Sequence, residues 1–154
     1  MKITLDTNVL VSAFISKQGQ PAAILGIILT FSEIELVSSD PILSEFREVF
    51  SRREVRERFE YSKKNIDQFV SVIRGASTIV QIKSNFIVVK EDPKDDAIIN
   101  TAYDGKVDYI VTGDIHLLSL RRFKGIRIVK PRSILNIIIQ RFGEFIIPKE
   151  ELKK

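Results

Sequence analysis

Short apolar runs that alternate with longer helical patterns constrain this chain more than any other feature. Ile3 and Leu5 sit in the first run, and residues 33–37, 107–112 and 126–129 form later ones. Residues 78–82 and 86–89 are β-rich runs with only Lys83-Ser84-Asn85 between them. Helical patterns follow Asp6, occupy residues 21–32, start again at Asp40, and recur after Asp96, Asp114 and Lys130. Runs of buried strand that alternate with helices predict a three-layer α/β/α sandwich on a mainly parallel sheet, with right-handed crossovers. The number of residues, 154, suits a single domain over 1–154 that can bury a full core.

Acids stand where these strands should end. Asp6 closes the first run, and the largely apolar helix of Val9, Leu10, Val11, Ala13 and Phe14 follows it. Ligands of open α/β sheets bind outside the carboxyl ends of the strands. Asp-Thr-Asn is also a good capping sequence, so cap and ligand both remain open on that stretch alone. Gly113-Asp114 repeats the arrangement after residues 107–112. Glu91-Asp92-Pro93-Lys94-Asp95-Asp96 is the densest acidic cluster. Caps explain one or two of its acids, but like charges this close repel unless a cation neutralises them. Ser39-Asp40-Pro41 predicts a helix start with Asp40 as N-cap and Pro41 at the first position. On that helix Ile42, Leu43, Phe46, Val49 and Phe50 define an apolar face, with Glu45 near its edge.

Residues 51–75 are the most polar section. They read as a solvated helical pair laced with charge pairs, or as a basic clamp for phosphates. Phe59 and Tyr61 either pin this section to the core or stack on bases. The chain carries a net charge of +4 with pI near 9.4, a balance that permits nucleic-acid binding without demonstrating it. It has no cysteine, which excludes disulfides, thiolate metal sites and cysteine catalysis. No apolar run approaches the roughly 20 residues that span a bilayer, and no signal-peptide layout opens the sequence. A membrane role is therefore not expected, and a reducing cytoplasm is the simplest home.

Asp6, Glu45, Asp96 and Asp114 are predicted to meet at the carboxyl edge of the sheet. Gathered carboxylates suit hard cations such as Mg2+ or Mn2+, which can activate water and stabilise charge on a phosphodiester. Other α/β chemistries lack their signatures. There is no G-x-G-x-x-G after the first strand and no phosphate loop. A haloacid dehalogenase phosphatase would need Asp where Asn8 stands, and a receiver domain would need adjacent acids after the first strand.

Four segments in order then resemble one family. Asp6-Thr7-Asn8-Val9-Leu10-Val11-Ser12-Ala13, Leu43-Ser44-Glu45-Phe46, Asp95-Asp96 before Ala97-Ile98, and Ile110-Val111-Thr112-Gly113-Asp114 look like a PIN domain. The resemblance runs from the first strand to the helix at Pro131. It is nearest to the single-domain, VapC-like proteins classed as toxins of toxin–antitoxin pairs. It implies a five-stranded parallel sheet in order 3-2-1-4-5, Mg2+- or Mn2+-dependent cleavage of single-stranded RNA, a small antitoxin partner, and a homodimer. The resemblance makes Asp6, Glu45, Asp96 and Asp114 the metal-site acids. Asn8 and Thr112 would orient them, with Asp92 and Asp95 as possible additional acids.

One position departs from the family pattern. Many relatives have another Asp two residues after the last acid, where this chain has His116, its one histidine. It is either an exposed residue near a helix start or a further ligand that would favour Mn2+. Arg52, Arg53, Arg121, Arg122 and Lys124 are the expected phosphate contacts. An inactive PIN-like module that binds RNA or a partner is the alternative from another class, and a phosphatase of small esters lacks a covalent nucleophile motif.

Overall fold

Strand β1, Lys2–Leu5, is buried along nearly its whole length and pairs in parallel with two neighbours, β2 (Glu35–Ser38) and β4 (Tyr109–Val111). The computed structural model describes residues 1–88 and 93–146. β3 (Ser77–Ile79) adds to β2, and β6 (Ile126–Val129) adds to β4, both in parallel. Strand β5 (Arg122–Phe123) pairs antiparallel with β6, so among the described residues the sheet has six strands in the order β3-β2-β1-β4-β6-β5. The five parallel strands have the expected order. The sixth corrects the count of five, and it arises from a tight turn. Lys124 and Gly125 form a two-residue loop with φ of 49° and 84°, the backbone that closes right-twisted hairpins. Lysine is an uncommon residue there, so the turn carried no signature in the sequence.

Helices flank the sheet: α1 (Thr7–Ile15), α2 (Gln20–Thr30), α3 (Asp40–Ser51), α4 (Arg53–Arg58), α5 (Lys63–Ala76), α6 (Pro93–Asp104), α7 (Ile115–Leu120) and α8 (Pro131–Ile146). The core joins the sheet to their inner faces. Ile3, Leu36 and Ile110 from neighbouring strands are buried with Ile98 and Ile99 of α6, Leu117 of α7, and Ile134 and Ile138 of α8. Gly105, just past α6, lets this packing close. A Cβ there would lie 2.5 Å from Val37 Cγ1 and 3.1 Å from the Thr101 carbonyl oxygen.

Aromatic rings hold the polar section in place. Phe14 of α1 lies within 5.8 Å of the ring centroids of Phe46, Phe50, Tyr61 and Phe69. Tyr61 is thus a core anchor, and Phe59 lies 6.1 Å from it. Among the charges outside, Arg53–Glu57 at 2.9 Å is an expected (i, i+4) pair, whereas Arg47–Asp67 joins α3 to α5 across 20 positions.

Two local expectations are corrected. Ser39, not Asp40, is the N-cap of α3; Asp40 is the first helical residue, and its carboxylate pairs with Arg74 at 2.7 Å. The Ser39 hydroxyl instead shares a 2.7 Å hydrogen bond with that of Thr101. Residues 86–88 of the β-rich run 86–89 form no ladder, and Val89 lies outside the described residues. They belong to an extended strap, residues 83–88, that runs along α6. There, polar side chains of the helix take the strap's amides and replace a neighbouring strand.

Candidate active site

Strand order reverses on either side of β1: the chain steps outward through β2 and β3, then returns to place β4 on the other flank. That switch point is where open α/β sheets bind ligands, at the carboxyl ends of the strands. Asp6 follows β1 directly, and Asp114 follows β4 after Thr112-Gly113. Both acids also cap helices. The Asp6 Oδ1 accepts the Thr7 N–H at 2.7 Å at the head of α1, and the Asp114 Oδ1 accepts the His116 N–H at 2.7 Å at the head of α7.

Two threonines knit this corner together. The Thr112 hydroxyl donates to Asp6 Oδ2 at 2.6 Å, and its oxygen accepts the Asp114 N–H at 2.9 Å. The Thr7 hydroxyl donates to Oε2 of Glu45 at 3.0 Å, tying α3 to the first turn of α1. Asn8 accepts the Gly113 N–H on Oδ1, at a long 3.4 Å. Thr7 was missed in the sequence, where it reads only as a residue within a capping triplet. Its partner is 38 positions away, and only the fold brings them together.

Asp6 is 5% exposed. Desolvation is the largest influence on its carboxyl and raises its pKa. Hydrogen bonds from Thr112 and Thr7 lower it, and the charges of Glu45 and Asp114 raise it again, leaving it at about 6 against an ordinary 3.8. Two of the other predicted acids, Glu45 and Asp114, thus lie near enough for their charges to act on Asp6.

The Asp96 carboxylate, in the first turn of α6, accepts the Val88 N–H at 2.8 Å. Asp95 beside it is more deeply buried, at 5% exposure. Asp92 lies outside the described residues. His116 is exposed in the first turn of α7. Among the described residues, no three His, Asp or Glu side chains stand close enough to hold one ion as placed. The donor set is all oxygen and anionic, and burial, with a smaller contribution from the neighbouring Glu45 and Asp114 charges, raises the proton affinity of Asp6. Such a set fits a hard divalent cation.

The basic residues fall in two places. Arg52 joins α3 to α4, and Arg53 is engaged with Glu57. Arg121, Arg122 and Lys124 belong to the β5–β6 hairpin, where the Lys124 ammonium sits 5.7 Å above the Phe86 ring. A cleft of about 250 Å³ beside the acidic corner is lined by Asn8, Ser12, Pro21, Gly113 and Pro131 among others. A larger cavity of about 560 Å³, walled by Phe14, Leu29, Phe69 and Val72, contains none of the four acids.

The family model described as the PIN domain matches residues 2–116, and the chain belongs to this family. PIN domains are generally nucleases, and PIN nucleases typically use divalent metals. The uncharacterized protein MJ1680 of Methanocaldococcus jannaschii is 33% identical over 121 residues, covering 79% of this chain and 76% of that protein. Among solved structures, VapBC2 from Rickettsia felis bound to a DNA fragment from its promoter is similar, with a TM-score of 0.58 and 14% identity. That alignment covers 84% of this chain and 98% of the matched one. It is a likeness of fold. No helix among the described residues is long and apolar enough to cross a membrane.

Proposed function

We propose that this PIN domain is a Mg2+- or Mn2+-dependent endoribonuclease that cuts single-stranded RNA, acting in the cytoplasm as the toxin of a toxin–antitoxin pair. The observation that carries the reading is the buried Asp6 at the switch point, its carboxyl raised to about 6 beside Glu45 and Asp114. Burying a carboxylate beside two others costs stability, and a divalent cation is the chemistry that repays it. Asp6, Glu45, Asp96 and Asp114 would hold the ion. When bound, it supplies an activated water and neutralises charge on the phosphodiester.

The remaining work falls to the chain itself. Thr112 and Thr7 hold Asp6 and Glu45 in fixed orientations, a supporting task on which metal sites depend. Arg52, Arg53, Arg121, Arg122 and Lys124 meet the phosphates of the strand, and the exposed His116 stays a surface group. The fold shared with VapBC2, a complex of two different proteins, supports a small protein antitoxin as partner, and a homodimer is part of the same proposal.

The test is cleavage of single-stranded RNA by purified protein with Mg2+ or Mn2+. Asp6→Asn, Asp96→Asn and Asp114→Asn should each cut the rate steeply while RNA binding persists. The double variants should lose little more, because the acids act as one unit. Asp40→Asn, which loosens only a surface pair with Arg74, should cleave almost normally. Protein that binds RNA but never cuts it would favour the alternative, an inactive RNA-binding or partner-binding module.

A further inference from the structure

One side of α6 is built to hold an extended chain. Asp96, Asn100 and Asp104 recur every fourth residue and so form one row, each step advancing about 6 Å. An extended segment advances about 6.6 Å for every two residues, so alternate strap residues meet successive members of that row. At the far end, Asp104 Oδ2 accepts the N–H groups of Lys83 and Ser84 at 2.7 and 2.9 Å and the Ser84 hydroxyl at 3.0 Å. In the middle, Asn100 accepts the Phe86 N–H at 2.8 Å and returns its own amide N–H to the Phe86 carbonyl at 3.1 Å. At the near end Asp96 Oδ1 accepts the Val88 N–H.

Asn100 is the centre of this row. It is 7% exposed, and it also accepts the Ser84 hydroxyl and donates to the Asp96 carbonyl, both at 2.8 Å. Exposure alternates along the strap, with Ser84, Phe86 and Val88 half-buried and Lys83, Asn85 and Ile87 exposed. Phe86 is held further by the rings of Tyr103 and Phe123, at 4.7 and 5.2 Å. The register is therefore set by the amide pair at Asn100 and locked by an aromatic side chain. A slip of one residue would turn Phe86 outward.

We propose that Asn100 is a positioning residue for Asp96: it fixes the strap so that the Val88 N–H holds the Asp96 carboxylate in one orientation for the divalent ion. This rests on the reading of Asp96 as an ion-binding acid. A carboxylate already fixed by a charge-assisted hydrogen bond gives up less freedom when it binds.

Val88→Pro removes the N–H, and also the valine side chain, while still favouring an extended backbone; Val88→Ala keeps the N–H and controls for the lost bulk. Mn2+ binding is titrated calorimetrically on the full chain without RNA. Val88→Pro and Asn100→Ala should bind Mn2+ about 10- to 100-fold more weakly, the usual effect of losing a supporting partner. Val88→Ala should stay within about twofold; in Val88→Pro and Asn100→Ala the KM for RNA should hardly move while kcat falls. In ion-free protein, amide exchange at Phe86 should be slow in wild type and fast in Asn100→Ala. Either variant binding Mn2+ as tightly as wild type overturns the proposal, and so does slow Phe86 exchange in Asn100→Ala. Should one variant fail to fold, the other carries the test, and the milder Asp104→Asn reads the same exchange from the strap's far end. Asp96→Asn separates the two levels. If it binds Mn2+ like wild type, or if wild type binds none, the ion site itself is misassigned and this inference falls with it. Weakened binding in Asp96→Asn beside normal binding in Val88→Pro refutes the positioning role alone.

Discussion

Thr112 donates its hydroxyl proton to Asp6 at 2.6 Å across 106 positions of sequence, joining the end of the fourth strand to the end of the first. The same oxygen accepts the Asp114 N–H, so one small side chain serves two acids. Thr112→Val keeps the shape and removes both bonds. A charged acceptor and a backbone donor then lose their partner, at a cost of roughly 2–4 kcal/mol. The loss should be larger at pH 8 than at pH 4, because the hydroxyl favours the ionised Asp6. Equal losses at both values, measured by denaturant unfolding, would mean that the hydroxyl does not act on the charge.

The raised Asp6 carboxyl gives a second prediction. Its folded value of about 6 lies above the ordinary 3.8, so the folded state holds a proton that the unfolded state has released. The corresponding stability is fully present below about pH 4 and is lost as pH rises through about 6. Above that point, ionised Asp6 works against the ion-free fold by roughly 3 kcal/mol. Asp6→Asn should therefore melt a few degrees higher than wild type in chelator at pH 7.5. The gain is trimmed because an amide nitrogen cannot accept the threonine hydroxyl, and it should vanish near pH 4. Adding Mn2+ at pH 7.5 should raise the wild-type melt and leave Asp6→Asn nearly unmoved. A pH-independent difference in chelator would contradict this account.

Arg121 allows the proposed RNA rim to be tested apart from the fold. Its backbone lies at φ 59°, ψ −46°, which few residues other than glycine adopt. Arg121→Gly should leave stability unchanged or raise it by up to about 1 kcal/mol, as relieved strain outweighs the added freedom of the unfolded chain. RNA binding should nevertheless weaken, and its dependence on the logarithm of salt should become shallower by about one charge contact. An unaltered slope would make Arg121 a solvated surface group.

Gly105 tests the packing beneath. A methyl group there must displace Val37 or the backbone, so Gly105→Ala should cost about 1–3 kcal/mol even though alanine is the better helix former. A neutral result in thermal melts would show that α6 can shift freely against β2.

The legible parts of the molecule were those that depend on local pattern. Buried apolar runs such as Ile3 and Leu5 marked the parallel strands, and acids at their ends marked the carboxyl edge, since both follow from neighbours in sequence. Asp40 misled because Ser39 and Asp40 are both good caps; in the structure Ser39 bonds Thr101 and Asp40 pairs with Arg74, partners that are both distant in sequence. Residues 86–88 have the composition of a strand, but β-propensity measures fit to a half-buried surface, and α6 supplied that surface through Asn100. The row Asp96, Asn100, Asp104 was missed, because nothing local says what a spacing of four on a helix will grip. Glu45 was expected at this edge, but its contact with Thr7 was beyond such reasoning, because it exists only once α3 lies against α1.

The short hairpin strand after α7 has a consequence for how copies of this molecule meet. Among the described residues, one border of the sheet is the two-residue β5, which carries the exposed Arg122, and the other is the three-residue β3. A border this short offers an incoming chain very few free amides and carbonyls, and a cation on it discourages stacking. Fibre-like growth by strand addition is thereby blocked at both ends. Self-association, where it occurs, is left to the outer surfaces of the helices, on which Phe145 and Ile139 of α8 and Val72 of α5 already lie open to water.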